Sequence, residues 1–149
     1  MSTVHATIEI DAPKERVWET IMDPDRLGDW VTIHRSVTGV SDHPLKPGST
    51  MQQVLHMRGV SFHVNWKLVE LSPPNRAEWE GHGPAHSGAK ISYVLSGDGD
   101  SPTKFEYMNE FNVPGGRLGS LASRVIVGAH SEREANNSLQ RLKTLLEGK

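Results

Sequence analysis

Lys104-Phe105-Glu106-Tyr107-Met108-Asn109-Glu110-Phe111 sets Phe105, Tyr107, Asn109 and Phe111 on one face of an extended chain, and after Pro114-Gly115-Gly116 the pattern turns helical to about Glu147. A strand runs straight into a rod. At 1.5 Å per residue roughly 30 helical residues span about 45 Å, long enough to cross a whole sheet. The apolar stripe of this segment is Leu118, Leu121, Val125, Gly128/Ala129, Glu132, Ala135, Leu139, Leu142 and Leu146. It is bulky at both ends and small or polar at its middle. Gly128, Ala129 and Ala135 then either leave space beneath the helix, since close-packed interiors rarely keep unfilled volume, or permit a bend or close backbone approach.

Upstream, short extended runs follow one another between turn signals at Pro47-Gly48, Gly59, Pro73-Pro74-Asn75, Gly81 to Gly88 and Gly97-Asp98-Gly99-Asp100. Phe62, Val64, Trp66 and Leu68 alternate with His63, Asn65 and Lys67. Parallel crossovers need a dozen or more residues, so runs this closely spaced predict antiparallel pairing. The chain opens on another alternating run, Val4 to Ile10. Asp11-Ala12-Pro13 then offers an acceptor and a proline suited to a helix start, with Val17, Trp18 and Ile21 as its inner face. A second start follows at Asp23-Pro24, anchored by Leu27 and Trp30. The class is therefore α+β: six or seven antiparallel strands, two short helices after strand one, and a long C-terminal helix. A curved sheet and a helix meet along only part of their surfaces, and a pocket forms where they diverge.

Composition narrows what such a pocket serves. The 149 residues suit one domain spanning 1–149, with a core burying roughly 70% of the unfolded surface. No stretch approaches the ~20 apolar residues of a membrane span. Net charge is −2, without Lys or Arg runs, so a nucleic-acid partner is not expected. Zero cysteines exclude disulfides, thiolate nucleophiles and cysteine-based metal sites. The start Met1-Ser2-Thr3-Val4-His5 lacks the regions of a secretion signal, which predicts a cytoplasmic protein.

Ile8-Glu9-Ile10-Asp11-Ala12-Pro13 with Val17-Trp18, Asp23-Pro24 with Trp30, Pro47-Gly48-Ser49, Val69-Glu70-Leu71-Ser72-Pro73-Pro74, and Phe111-Asn112-Val113-Pro114-Gly115-Gly116 stand in an order that resembles the SRPBCC superfamily. These are the START-like or helix-grip proteins, and the likeness is to their polyketide cyclase/dehydrase-like branch, over nearly the full length. The resemblance implies a START-like ligand-binding domain with a deep hydrophobic cavity between sheet and helix. Relatives use it for lipids, sterols, plant hormones or polyketides, and some cyclise or dehydrate a bound polyketide. No cofactor is implied, and the family has no universal catalytic motif to carry over.

The candidate residues come from the chain itself. Tryptophan and tyrosine combine apolar area with a polar handle, so Trp30, Trp66, Trp79 and Tyr107 are read either as cavity lining or as core. Phe111, Leu121, Val125, Gly128 and Ala129 complete the expected wall. Asn109 on an apolar strand face and Glu132 in the small middle of the stripe join Tyr107 as candidate acid-base groups, with Arg124 as partner or anchor for an acidic ligand head. Glu132 and Arg124 also suit the solvated side of a slightly rotated helix. His82-Gly83-Pro84-Ala85-His86 has nominal metal spacing, but Gly-Pro removes the helix that would align its imidazoles, so no metal is expected. The expected partner is a small hydrophobic molecule held by a monomer or homodimer. The binding reading needs no catalytic set, whereas a cyclase or dehydratase needs at least two titratable groups facing one void.

Overall fold

A computed structural model describes residues 2–112, 127–129 and 131–148. Strand β1 (Ser2–Ile10) leads into helix α1 (Lys14–Ile21), a 3-10 turn (Pro24–Arg26) and helix α2 (Leu27–Trp30). Six strands follow: β2 (His34–Thr38), β3 (Thr50–Met57), β4 (Val60–Ser72), β5 (Arg76–His82), β6 (Gly88–Ser96) and β7 (Thr103–Asn112), with a 3-10 turn (Pro84–His86) before β6. Helix α3 (Glu132–Leu146) closes the order. The seven strands form one curved antiparallel sheet in the order β1-β7-β6-β5-β4-β3-β2.

Alternation works as the sequence implies: Phe62, Val64, Trp66 and Leu68 are buried while His63, Asn65 and Lys67 are exposed. The five-residue edge strand β2 departs from regular pairing, with a register shift between His34 and Ser36. Asp23 accepts the N–H of Asp25 at 3.0 Å and Pro24 follows it, so the second helix start is built as read. The first differs. Pro13, not Asp11, occupies the N-cap of α1 and no side chain caps it, while Asp11 gives its own N–H to the Glu147 carboxylate at 2.9 Å.

The C-terminal helix also differs from an unbroken rod. Residues 127–129 are helical, but Ser131 is extended (φ −76°, ψ 158°) and its hydroxyl accepts the N–H of Glu134. The helix restarts here. Glu132 is the first residue after the Ser131 cap and is exposed, while Ser138, Leu139, Leu142 and Leu146 further along the helix are buried. The stretch 113–126 lies outside the described residues. Helix α3 packs on β1 and α2, and Lys143 fastens its far end by donating to the Glu9 carbonyl and the Glu147 carboxylate at 2.8 and 2.7 Å. Among the described residues no helix is long and apolar enough to cross a membrane.

Candidate functional site

Between the sheet and the start of α3 lies a partly enclosed cavity of about 90 Å³. A single water needs about 10–15 Å³ by that measure, so the space exceeds a few waters. Trp66, Trp79, Ile91, Tyr93 and Tyr107 wall it from β4 to β7, and Met51, Gln53 and Leu55 from β3. Leu27, Trp30, Val31 and Ile33 close one side, and Ala129, Ser131, Glu134, Ala135, Ser138 and Leu139 the other.

Aromatic packing shapes the apolar wall. Trp30 meets Tyr93 and Phe105 at centroid distances of 6.1 and 6.3 Å, and Tyr93 meets Phe105 edge-on at 5.5 Å and 85°. Such tilted contacts suit the ring quadrupoles. Trp66 lies across Gly81, its cross-strand partner on β5, where an added Cβ would come within 2.5 Å of the indole ring. Only glycine leaves the ring that room.

Part of the polar lining is bound internally, while the Trp30 indole N–H is buried without a hydrogen-bond partner among the described residues. The Trp66 indole N–H can only donate, so the Gln53 atom it meets at 2.9 Å is the carbonyl Oε1. The Gln53 amide nitrogen is thereby turned to His34, whose Nδ1 accepts at 2.9 Å and whose proton must sit on Nε2. Burial also lowers the His34 pKa from its ordinary 6.5. Because the folded chain disfavours the charged imidazole, its contribution is intact above pH 6.5 and is lost as pH falls from there through the lower folded value. We expect the unfolding free energy of the wild type, read from urea titrations, to drop between about pH 7.5 and 5.5 by more than that of His34→Gln, the difference staying at about 1 kcal/mol or less since solvent screens a half-buried ring. Equal slopes would contradict the wiring.

On β7, Asn109 is fully buried and its Nδ2 donates to the Tyr107 hydroxyl at 3.2 Å. Burial pushes the Tyr107 phenol up to about 12, against the lowering effect of that hydrogen bond. At neutral pH Tyr107 is therefore a phenol that still has its proton to donate. Burial, reinforced by Tyr107 beside it, also pushes the Tyr93 phenol up.

Of the residues named from sequence, the cavity brings together Trp30, Trp66, Trp79, Tyr107 and Ala129. Asn109 stands behind Tyr107, and Phe111 is buried but not among the lining. Gly128 is not among the lining residues, and a Cβ placed on it would make an ordinary contact with the Met57 side chain at 3.5 Å. Leu121, Arg124 and Val125 lie outside the described residues. Glu132 is exposed in the first turn of α3 and is not part of the cavity wall, where Glu134 brings the carboxylate instead. Gln53, Tyr93 and Ser138 are further lining residues that spacing did not single out. Among the described residues no three His, Asp or Glu side chains are grouped to hold a metal.

The family model described as polyketide cyclase / dehydrase and lipid transport matches residues 1–147. The toxin Rv0910 of Mycobacterium tuberculosis (strain ATCC 25618 / H37Rv) is 24% identical over 151 residues, covering 99% of this chain and 100% of that protein. TTHA0849 from Thermus thermophilus superposes with a TM-score of 0.77 at 17% identity, over 99% of this chain and 98% of the other. DynU16, from the dynemicin biosynthetic locus, superposes with a TM-score of 0.68 at 17% identity. This chain is covered completely there but spans only 49% of DynU16. At these identities the solved structures establish the shared fold.

Proposed function

The chain belongs to the polyketide cyclase / dehydrase and lipid transport family, and from that premise we propose that it binds a small, largely apolar molecule, flat enough to lie among aromatic rings, between its sheet and C-terminal helix. The observation that carries this reading is the wall itself. Its indoles and phenols present apolar area, while Trp66, Gln53 and His34 spend their polar groups on one another. With its area mostly aromatic and aliphatic, such a cavity gains chiefly from burying apolar ligand surface, at about 25 cal/mol per Å².

A second reading, acid-base turnover of a polyketide-like substrate, is favoured by one specific observation: Tyr107 and Glu134 line the same void. One supplies a phenolic proton and the other a carboxylate, the two kinds of group that enolisation and dehydration require. The same titration tests both. Trp30, Trp66 and Trp79 stand in the wall, so a panel of fatty acids, sterols, flavonoids and aromatic polyketides is expected to change tryptophan emission saturably with at least one member. Binding without product supports the carrier. Product formation that falls by about 10²-fold or more in Tyr107→Phe, with binding retained, supports the enzyme. No saturable response across the panel overturns both.

A further inference from the structure

We infer that the molecule held in the cavity carries a hydroxyl group and that Glu134 receives its proton in a hydrogen bond. The inference rests on the binding reading above and adds the polar end of the ligand. Ser131-Glu132-Arg133-Glu134 has the spacing of a capping box, in which the glutamate normally folds back to the N–H of the capping serine. Half of that box forms: the Ser131 hydroxyl accepts the Glu134 N–H at 3.2 Å. The reciprocal half does not, because the Ser131 N–H donates to the Gly128 carbonyl at 3.1 Å. The Glu134 side chain is thereby released from its own helix. It lines the cavity and accepts the Thr32 hydroxyl at 2.7 Å through Oε2.

Among the described residues neither lysine nor arginine pairs with this carboxylate. A carboxylate has about four acceptor positions, and one threonine proton occupies one of them. Thr32 is committed further: its N–H goes to the Ser138 hydroxyl oxygen at 3.2 Å, and the two hydroxyls stand 3.4 Å apart. The rim thus offers acceptor capacity beside an apolar wall. A ligand that covers Glu134 with carbon alone would strip water from a charge and return nothing. A hydroxyl returns one charge-assisted hydrogen bond and needs a single acceptor. An ammonium could also pair with Glu134 and lie against the ring faces, but it loses far more hydration on entering an apolar cavity than a neutral hydroxyl does, and it is the competing occupant in the test.

The test uses three probes of similar size: 4-methylphenol, its isomer methoxybenzene, which cannot donate, and benzylamine, charged at neutral pH. Dissociation constants are read by NMR titration of the full chain. The wild type should bind 4-methylphenol about tenfold more tightly than methoxybenzene, as a hydrogen bond to a charged acceptor implies. In Glu134→Gln that ratio should fall to about twofold, while Glu132→Gln, which removes an exposed charge two residues away, should leave it unchanged. If Glu134→Gln does not fold, Glu134→Asp keeps the charge but withdraws it by one methylene, and should lower the ratio too. Equal binding of the two isomers by the wild type, a ratio that survives both Glu134 variants, or tighter binding of benzylamine than of 4-methylphenol each overturns the inference and leaves the apolar cavity standing. Failure of all three probes to bind overturns the cavity reading, and the inference with it.

Discussion

Phe105→Ala is expected to lower folding stability by about 3–5 kcal/mol, the range for deleting a fully buried aromatic side chain. Phe105 is 0% exposed on β7. Its ring closes a triangle with Tyr93 on β6 and Trp30 on α2, so it joins the sheet to the helix above it. Alanine would remove both edge contacts and leave a void that close-packed neighbours fill only in part. A domain of this size has about 5–15 kcal/mol in total, so the loss should show as a large fall in the urea midpoint. Phe105→Leu keeps most of the volume and should cost about 1.5 kcal/mol or less. An alanine variant as stable as the leucine variant would show that the ring triangle does not join the layers.

Gly81→Ala should cost about 1–3 kcal/mol, the penalty for overpacking a filled interior. Alanine elsewhere in a strand would be expected to gain up to about 1 kcal/mol over glycine, so the sign itself is diagnostic. The added Cβ would stand 2.5 and 2.6 Å from two atoms of the Trp66 ring and 2.9 Å from a third. That ring is no free end, for its N–H is fixed on Gln53. It must tilt, and the Gln53 bond and the shape of the cavity wall change with it. Tryptophan emission and ligand affinity should therefore shift together with stability. In a double-mutant cycle with Trp66→Leu, the two changes should be non-additive by about 0.5 kcal/mol or more. Strict additivity would mean that the ring does not rest on the glycine.

These two sites differ in how far sequence exposes them. Phe105 and Trp66 sit in runs with period-two alternation, a local signal that neighbouring residues suffice to read. The support of Trp66 is not local, since Gly81 and Gln53 reach it by cross-strand register from β5 and β3. The helix shows the same limit. Apolar spacing continues smoothly past Ser131, so periodicity alone reads one rod and puts Glu132 inward. The Ser131-x-x-Glu134 pattern was the available sign of a restart, and taking it moves the inward carboxylate to Glu134. Gln53 had a fainter sign, an amide in phase with the apolar Met51 and Leu55. Its partners on β2 and β4 could be assigned only once the strands were paired.

An antiparallel sheet that stops at β2 ends in backbone amides and carbonyls with no eighth strand to receive them among the described residues. Another chain's extended segment would ordinarily find a template there, the first step of fibre growth. Here that rim is only His34–Thr38, with Arg35 exposed and the ladder out of step between His34 and Ser36. A short, charged and irregular border offers an incoming strand little continuous ladder to copy, so this edge of the sheet, unlike the longer and regularly paired β1 at the opposite edge, carries its own guard against runaway self-association.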